Sequence, residues 1–298
     1  KKMQPKYLCM IIPARWYAGG KGLDEFRAEM LNDRHLLRIV DFENSQEVFP
    51  GVDVAGGICF FLWDKNNEGD CTFTNHYDGN PVNTVRKLNE FPILIRHSKA
   101  IPIIRKIIQK EKRNNNGKFN TLSDSVSSRK PFGLPTNYSP KNEGIPCWFI
   151  QRIGLGYAKK EDMHDDNNYL NKWKLLIPPA PIAGQTDFSK PVGFYYDGNV
   201  RIAKPGEICT ESYIIAGVFN TEEETLNFKS YLFSKIVRFL LLQTVVSQHV
   251  TKEKFLFVPD LLKYDCKYND EMLSEMWNIN QDEWIFIDSK IKDSDQNE

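Results

Sequence analysis

The sequence predicts a chain of α/β and α+β class, in which a short sheet segment precedes a region of mixed strands and helices. Two observations at the N-terminus carry this prediction. An apolar run at residues 7–12 stops at Pro13 and precedes the glycine-rich residues 19–22, a pattern typical of a buried strand in a parallel sheet. The amphipathic run at residues 23–31 then predicts a crossover helix.

Further apolar runs at residues 36–40 and 58–63 predict two more strands. Three strands and one helix cannot bury both faces of a parallel sheet. Because a reading frame does not ordinarily begin with two lysines, we treat the N-terminus as a cut. We therefore expect residues 1–84 to be the second half of a nucleotide-binding α/β domain and residues 85–298 to form a second domain.

The second domain combines short β-prone runs with helices. Residues 123–210 are rich in glycine, proline and aromatic residues, which predicts an irregular region that contains strands. Thr221 is followed three residues later by Glu224, a capping-box pattern that predicts a long helix over residues 221–246. Two shorter helices are expected to close the chain.

Composition indicates a globular protein. Of the 298 residues, 41% are hydrophobic, which is enough for a packed core. The longest apolar stretch, residues 236–246, contains Arg238 and Gln243 and is too short to span a membrane. The six cysteines include no close pair of the kind that binds zinc. We expect a cytoplasmic protein with reduced thiols and no membrane association.

Charge is unevenly distributed along a chain with 39 basic and 39 acidic residues. Residues 86–130 contain twelve lysines and arginines and three acids, whereas residues 260–298 contain eleven acids and four lysines. A basic middle and an acidic tail are typical of a protein that lays one face on nucleic acid. A solvated charged helix at residues 98–112 explains the basic run equally well.

Candidate binding residues follow the first strand, where open α/β sheets place their ligands. Arg15 and Lys21 are expected to line a cleft there, and Phe49 begins a second group at the same rim and could stack on a ligand. Plugging the sheet edge explains Phe49 equally well. No metal site is expected, because a solvated turn explains the acidic residues around His164 better than a metal loop does.

Four segments carry a family resemblance: residues 10–16, 19–27, 39–42 and 49–59. In this order they resemble the end of the catalytic domain of adenine-specific DNA methyltransferases from restriction-modification systems. The resemblance implies that residues 1–84 are part of a truncated Rossmann-like methyltransferase sheet. It also implies that Phe49 lies against the adenine that such enzymes flip out of the duplex.

Later segments resemble the target recognition region of the same family: residues 125–134, 209–213, 227–231, 235–240 and 247–259. By this resemblance residues 85–298 are a mixed α/β target recognition domain with a long helix. A DNA-reading domain needs cations for phosphates and polar side chains for base edges. The candidate cleft and DNA-binding residues are Arg15, Lys21, Arg129, Lys130, Arg152, Lys159, Lys160, Gln248, His249 and Lys252. Taken singly, each of these residues from Arg129 onward is better explained as a surface cap or a loop charge, but their joint placement in segments that resemble the family favours DNA binding.

The sequence departs from the family in two motifs. It contains neither the glycine-rich loop for S-adenosylmethionine nor the Asn-Pro-Pro-aromatic tetrapeptide, since its one Pro-Pro pair, Pro178-Pro179, precedes Ala180. We therefore expect no catalytic residue and no cofactor in this chain. S-adenosylmethionine would belong to a parent adenine-specific DNA methyltransferase, with double-stranded DNA and the remainder of that polypeptide as partners.

The leading hypothesis is sequence-specific DNA recognition, as the specificity portion of such a methyltransferase. Two alternatives remain open. The chain could be a self-sufficient enzyme that uses Arg15, Lys21 and Asp24 on a small anionic substrate. It could also be a non-catalytic module that docks a nuclease or helicase subunit through the helix at residues 221–246.

Overall fold

The computed structural model describes residues 4–77, 79–182, 185, 187–195, 197–246 and 249–294. The described residues form two compact units. Unit 1 consists of the described residues within Lys1–Arg105, Gly184–Val192 and Leu242–Gln248. Unit 2 consists of those within Lys106–Ala183, Gly193–Leu241 and His249–Glu298. The expected division into functional domains after residue 84 stays a prediction.

Unit 1 is built on a five-stranded mixed sheet with the order β1-β3-β2-β4-β5. Its strands are β1 (Tyr7–Pro13), β2 (Leu36–Phe42), β3 (Ile58–Asp64), β4 (Cys71–Tyr77) and β5 (Asn80–Arg86). Strand β3 is antiparallel to both β1 and β2, β4 is parallel to β2, and β5 is antiparallel to β4. Strands β1, β2 and β4 therefore run in the same direction, and their carboxyl ends lie at one edge of the sheet.

Helix α1 (Asp24–Asn32) follows β1 and buries Met30 and Leu31 in the core of unit 1. The strands predicted at residues 36–40 and 58–63 and this helix are confirmed. Among the described residues, the expectation of a central, buried first strand is not met. Strand β1 lies at the edge of the sheet, and Tyr7 is 54% exposed. An apolar run looks the same in sequence whether or not a neighbouring strand covers it.

Unit 2 contains two three-stranded sheets, with the orders β10-β6-β7 and β11-β8-β9. Their strands are β6 (Ile145–Trp148), β7 (Leu155–Ala158), β8 (Trp173–Ile177), β9 (Arg201–Ala203), β10 (Ile208–Cys209) and β11 (Ile214–Phe219). The other α-helices in the described ranges are α2 (Ala100–Asn114), α3 (Glu222–Phe233), α4 (Lys235–Leu242), α5 (Asp270–Trp277) and α6 (Gln281–Lys290). The predicted mixed α/β character is thereby confirmed.

The long helix predicted over residues 221–246 is two helices. The capping box at Thr221 is present at the start of α3, but Ser234 has an extended ψ of 147° and separates α3 from α4. The Ser234 hydroxyl accepts a hydrogen bond from the Val237 amide (3.3 Å). The Asp270 carboxylate accepts from the Lys235 and Ile236 amides (both 3.0 Å), so a new helix N-terminus is fully capped there.

A buried lysine organises the second sheet of unit 2. Lys174, on β8, is 0% exposed. Its ammonium donates to four backbone carbonyls: those of Tyr169 (3.1 Å), Leu170 (3.3 Å), Lys172 (2.5 Å) and Lys204 (3.2 Å). Burial lowers the pKa of Lys174 from 10.5 to about 8. The charged side chain thus connects the turn before β8 to the turn after β9.

Two further observations concern the described residues as a group. None of their helices has both the length and the apolar character needed to cross a bilayer. All six cysteines are free, and four of them are buried.

Candidate nucleic-acid interface

The carboxyl edge of the sheet in unit 1 carries the first set of candidate residues. Arg15 and Lys21 lie between β1 and α1, and Phe49 lies between β2 and β3. Because the carboxyl ends of β1 and β2 are at the same edge of the sheet, all three residues lie at that edge. All three side chains are exposed. The segment with Arg15 is anchored by the buried Arg27, which donates to the carbonyls of Trp16 (2.7 Å) and Gly19 (2.6 Å).

Phe49 begins a tight turn. The Val52 amide donates to the Phe49 carbonyl (3.1 Å), Pro50 occupies the second position, and Gly51 has a φ of +80°. These features define a type II turn, in which glycine is favoured at the third position because φ is positive there. The turn leaves Phe49 40% exposed and Val52 50% exposed at the tip of the loop.

Ser45 closes the base of this turn. Its hydroxyl donates to the Val52 carbonyl (2.7 Å) and accepts from the Val54 amide (2.9 Å). The Ser45 carbonyl also accepts from the Phe49 amide (2.9 Å). One buried residue, through its side chain and its main-chain carbonyl, therefore holds both ends of the segment that presents Phe49.

An ion pair lies beneath the loop at residues 43–57. The Arg96 guanidinium donates to both carboxylate oxygens of Asp41 (2.9 and 3.0 Å) and to the Gly56 carbonyl (2.7 Å). Arg96 is 7% and Asp41 1% exposed. Burial by itself lowers the pKa of Arg96, but Asp41 outweighs this effect, and the pKa is raised. At Gly57, which has a φ of +74°, a Cβ would lie 2.2 Å from the Phe42 carbonyl oxygen, so the loop must return through glycine.

The next residue holds the start of the same loop. His97 Nε2 lies 2.6 Å from a carboxylate oxygen of Glu43, and Nδ1 lies 3.3 Å from the side-chain oxygen of Gln243. His97 and Glu43 are both buried. The consecutive residues Arg96 and His97 therefore bind the two ends of the loop. Sequence reasoning missed this network, although the two acids flanking Phe42 at the end of β2 were a signal.

In unit 2, Arg129 and Lys130 share one carboxylate. Arg129 Nη2 lies 2.6 Å from one oxygen of Glu211, and Lys130 Nζ lies 3.7 Å from the other. The two cations are 64% and 47% exposed, whereas Glu211 is 13% exposed. Sequence reasoning missed Glu211, which neutralises part of the charge of this pair.

Three other candidate residues lie at opposite ends of the hairpin formed by β6 and β7. Arg152 lies in the turn that joins the strands, whereas Lys159 and Lys160 follow β7 at the opposite end. The predicted His249 and Lys252 are exposed and lie after α4. The predicted Gln248 lies outside the described residues.

Within the described ranges, no group of three or more histidine, cysteine, aspartate or glutamate residues is placed to bind a metal ion. In the turn near His164, the Asp165 carboxylate accepts from the amides of Tyr169 (2.7 Å) and Leu170 (2.9 Å). It therefore stabilises a turn.

The loops of unit 1 that carry Arg15, Lys21 and Phe49 lie in a segment that is similar to known proteins. The family model described as Eco57I restriction-modification methylase matches residues 1–49, the segment that contains Arg15, Lys21 and Phe49. The resemblance to adenine-specific methyltransferases of restriction-modification systems is thereby confirmed.

Two particular proteins are similar to parts of the chain. An "Uncharacterized adenine-specific methylase" from Mycoplasma pneumoniae is 35% identical over 68 residues, which cover 22% of this chain and 16% of that protein. The structure of the type IIG restriction endonuclease BpuSI aligns with 91% of this chain and 42% of its own, at 11% identity and a TM-score of 0.33. That similarity is too low to support an argument. The chain spans less than half of either relative.

Proposed function

We propose that this chain is the specificity portion of a restriction-modification adenine DNA methyltransferase. In this proposal residues 1–84 complete the methyltransferase sheet, and residues 85–298 form the domain that reads the DNA target. The observation that carries the proposal is Phe49: an exposed aromatic ring on a preorganised turn, at the carboxyl edge of three parallel strands, within the segment similar to restriction-modification methylases.

The edge strand β1 supports the view that the sheet is one part of a larger Rossmann-like sheet. Among the described residues β1 pairs with β3 alone. Tyr7, Met10 and Ile11 are 54%, 46% and 45% exposed on this strand. Exposed apolar edge strands are templates for another strand, and proteins ordinarily protect them. Further strands of a parent polypeptide would cover this edge.

The proposed role of Phe49 is to stack on an adenine that has left the duplex. Stacking of a base on an aromatic ring contributes about 1–3 kcal/mol. A fixed turn helps, because the ring then loses little conformational freedom when the base binds. Arg15 and Lys21, at the same sheet edge, would contact the neighbouring phosphates.

The sequence lacks the glycine-rich loop that binds S-adenosylmethionine, and the two acids at the end of β2 already bind neighbouring side chains. The carboxylates at the end of β2 belong to Asp41 and Glu43, and both are buried against Arg96 and His97. Neither is available for the ribose hydroxyls of a nucleoside cofactor. The cofactor and the methyl transfer are therefore assigned to the rest of the parent enzyme.

For α4, the alternative of a docking helix over residues 221–246 receives little support from the packing, whereas Leu226 on α3 is 41% exposed. Helix α4 buries its apolar residues completely: Ile236, Val237, Phe239, Leu240 and Leu241 are each 0% exposed. These side chains are not available to a partner subunit.

Selection from a randomised duplex pool tests the proposal. The chain is incubated with the pool at low and then physiological salt, and the retained DNA is sequenced. We expect one short motif that contains an adenine to be enriched. Retention that vanishes with salt and enriches no motif would contradict the specificity role, and salt-insensitive binding of a partner protein without DNA affinity would favour the docking module.

A further inference from the structure

The hairpin of β6 and β7 carries its large apolar side chains on the outside. Leu155 and Tyr157 on β7 are 50% and 44% exposed, and Ile153 in the turn is 46% exposed. The other β7 residues, Gly156 and Ala158, face the opposite side of the strand. Ala158 is 0% exposed, and a Cβ on Gly156 would lie 3.1 Å from the ring of Phe149. The inner face of β7 thus carries small residues, whereas its large apolar side chains are roughly half exposed on the outer face.

The backbone edge of β7 is partly occupied. The Lys141 amide donates to the Tyr157 carbonyl (2.9 Å), which forms an isolated bridge on the side of β7 away from β6. A partner strand could not pair along this edge without displacing Lys141. A binding partner on this face would therefore contact the side chains of Leu155 and Tyr157 rather than the main chain of β7.

Cations surround this apolar face at both ends. Arg152, Lys159 and Lys160 lie within residues 144–160, and the exposed acids Glu143, Glu161 and Asp162 adjoin the end that carries the two lysines. Arg152 lies in the turn, and the two lysines lie beyond the last paired residue, Ala158. The four paired positions span roughly 10 Å. The major groove of DNA is about 12 Å wide and admits a two-stranded β-ribbon.

We propose that the β6–β7 hairpin enters the major groove of the target duplex. Leu155 and Tyr157 contact base edges there, with thymine methyl groups as the apolar partners, and the cations at the two ends contact phosphates on opposite walls of the groove. This inference rests on the proposed function and assigns the reading of the target to one element of the chain.

The first test compares Leu155→Ser with Ile285→Ser, which alters an exposed apolar residue of α6 in the same unit (56% exposed). Each variant is measured for binding to the duplex that the wild-type chain enriches and to random duplex. We expect Leu155→Ser to weaken binding to the enriched duplex roughly tenfold and to change binding to random duplex little. Ile285→Ser should bind both as the wild type does. Equal behaviour of the two variants would overturn the inference.

A chemical test does not depend on how a variant folds. Replacing each thymine of the enriched motif by uracil removes only the methyl group. The wild-type chain should lose affinity for the uracil duplex, and Leu155→Ser should lose much less, because its apolar contact is already absent. Identical losses in both proteins would place the methyl contacts elsewhere.

The lysines give an independent readout. Lys159→Gln and Lys160→Gln should each reduce the slope of log affinity against log salt by about 1. An unchanged slope would contradict the phosphate contacts.

Dissociation of a dimer by Leu155→Ser, with DNA binding intact, would instead identify the face as a contact between copies of the chain. Failure of the wild-type chain to enrich any motif would refute the proposed function itself, which separates the two claims.

Discussion

Arg96 and Asp41 form a bidentate ion pair that is buried below the loop carrying Phe49. The same guanidinium donates to the Gly56 carbonyl (2.7 Å), so that the ion pair and the loop share one side chain. The partners are 55 residues apart in the sequence. Removing one member of such a pair leaves an uncompensated buried charge, which is far more costly than the net contribution of the intact pair.

The first prediction concerns this ion pair. Asp41→Asn should lower the free energy of unfolding by about 3–5 kcal/mol, because Arg96 then remains buried without its counter-ion. The matched control is Glu90→Gln, which breaks the pair between Glu90 and the half-exposed Arg105. This control should cost less than about 1 kcal/mol. Urea unfolding measures both, and similar small losses would show that the buried pair is dispensable.

The second prediction separates two roles for Phe49. Phe49→Ala should leave thermal stability nearly unchanged, since the ring is 40% exposed, and should weaken binding to a duplex with a mismatched adenine about tenfold. Phe49→Trp should retain binding. The control is Val52→Ala at the same turn. A clear loss of stability, with equal weakening on matched and mismatched duplex, would mean that Phe49 only covers the sheet edge.

The third prediction follows from the carboxylate that Arg129 and Lys130 share. Glu211→Gln removes the negative charge beside both cations, so DNA affinity and its salt dependence should increase. Arg129→Ala should weaken specific binding more than random binding if Arg129 reads a base. Glu222→Gln, an exposed acid on α3, controls for net charge. An equal gain of affinity from both glutamate substitutions would remove any special role for Glu211.

Local patterns predicted several elements of both units. The strands at residues 36–40 and 58–63, helix α1 and the capping box at Thr221 each depend on residues close in sequence, and each is present. The position of β1 at the edge was not predictable from its apolar run, because strand neighbours are chosen by distant segments. The break at Ser234 also escaped prediction, since a cap for α4 comes from Asp270.

The candidate site was also predictable only in part. The rule that carboxyl ends of parallel strands share an edge brought Arg15, Lys21 and Phe49 to one side of the sheet. The partners below the loop were not predictable, because Asp41 and Arg96 lie 55 residues apart and nothing local indicates their pairing. Electrostatic partners of this kind require the tertiary structure.

The last prediction concerns pH and Lys174. Burial lowers its pKa from 10.5 to about 8 in the folded chain, so between these values the unfolded chain binds more protons than the folded chain. The cost of burying the charge is fully present below pH 8, and the stability of unit 2 should rise as pH increases towards 10.5. The expected gain is about 3 kcal/mol.

Lys174→Met should abolish this rise. It should also lower stability at neutral pH by about 1–3 kcal/mol, because the carbonyls of Tyr169, Leu170, Lys172 and Lys204 lose their common donor. Urea unfolding of both proteins across this pH range measures the difference, and Lys160→Met controls for an exposed lysine. Parallel pH profiles for wild type and Lys174→Met would show that Lys174 stays protonated throughout this pH range. The hydrogen bonds to the four carbonyls would then stabilise the ammonium by more than burial destabilises it.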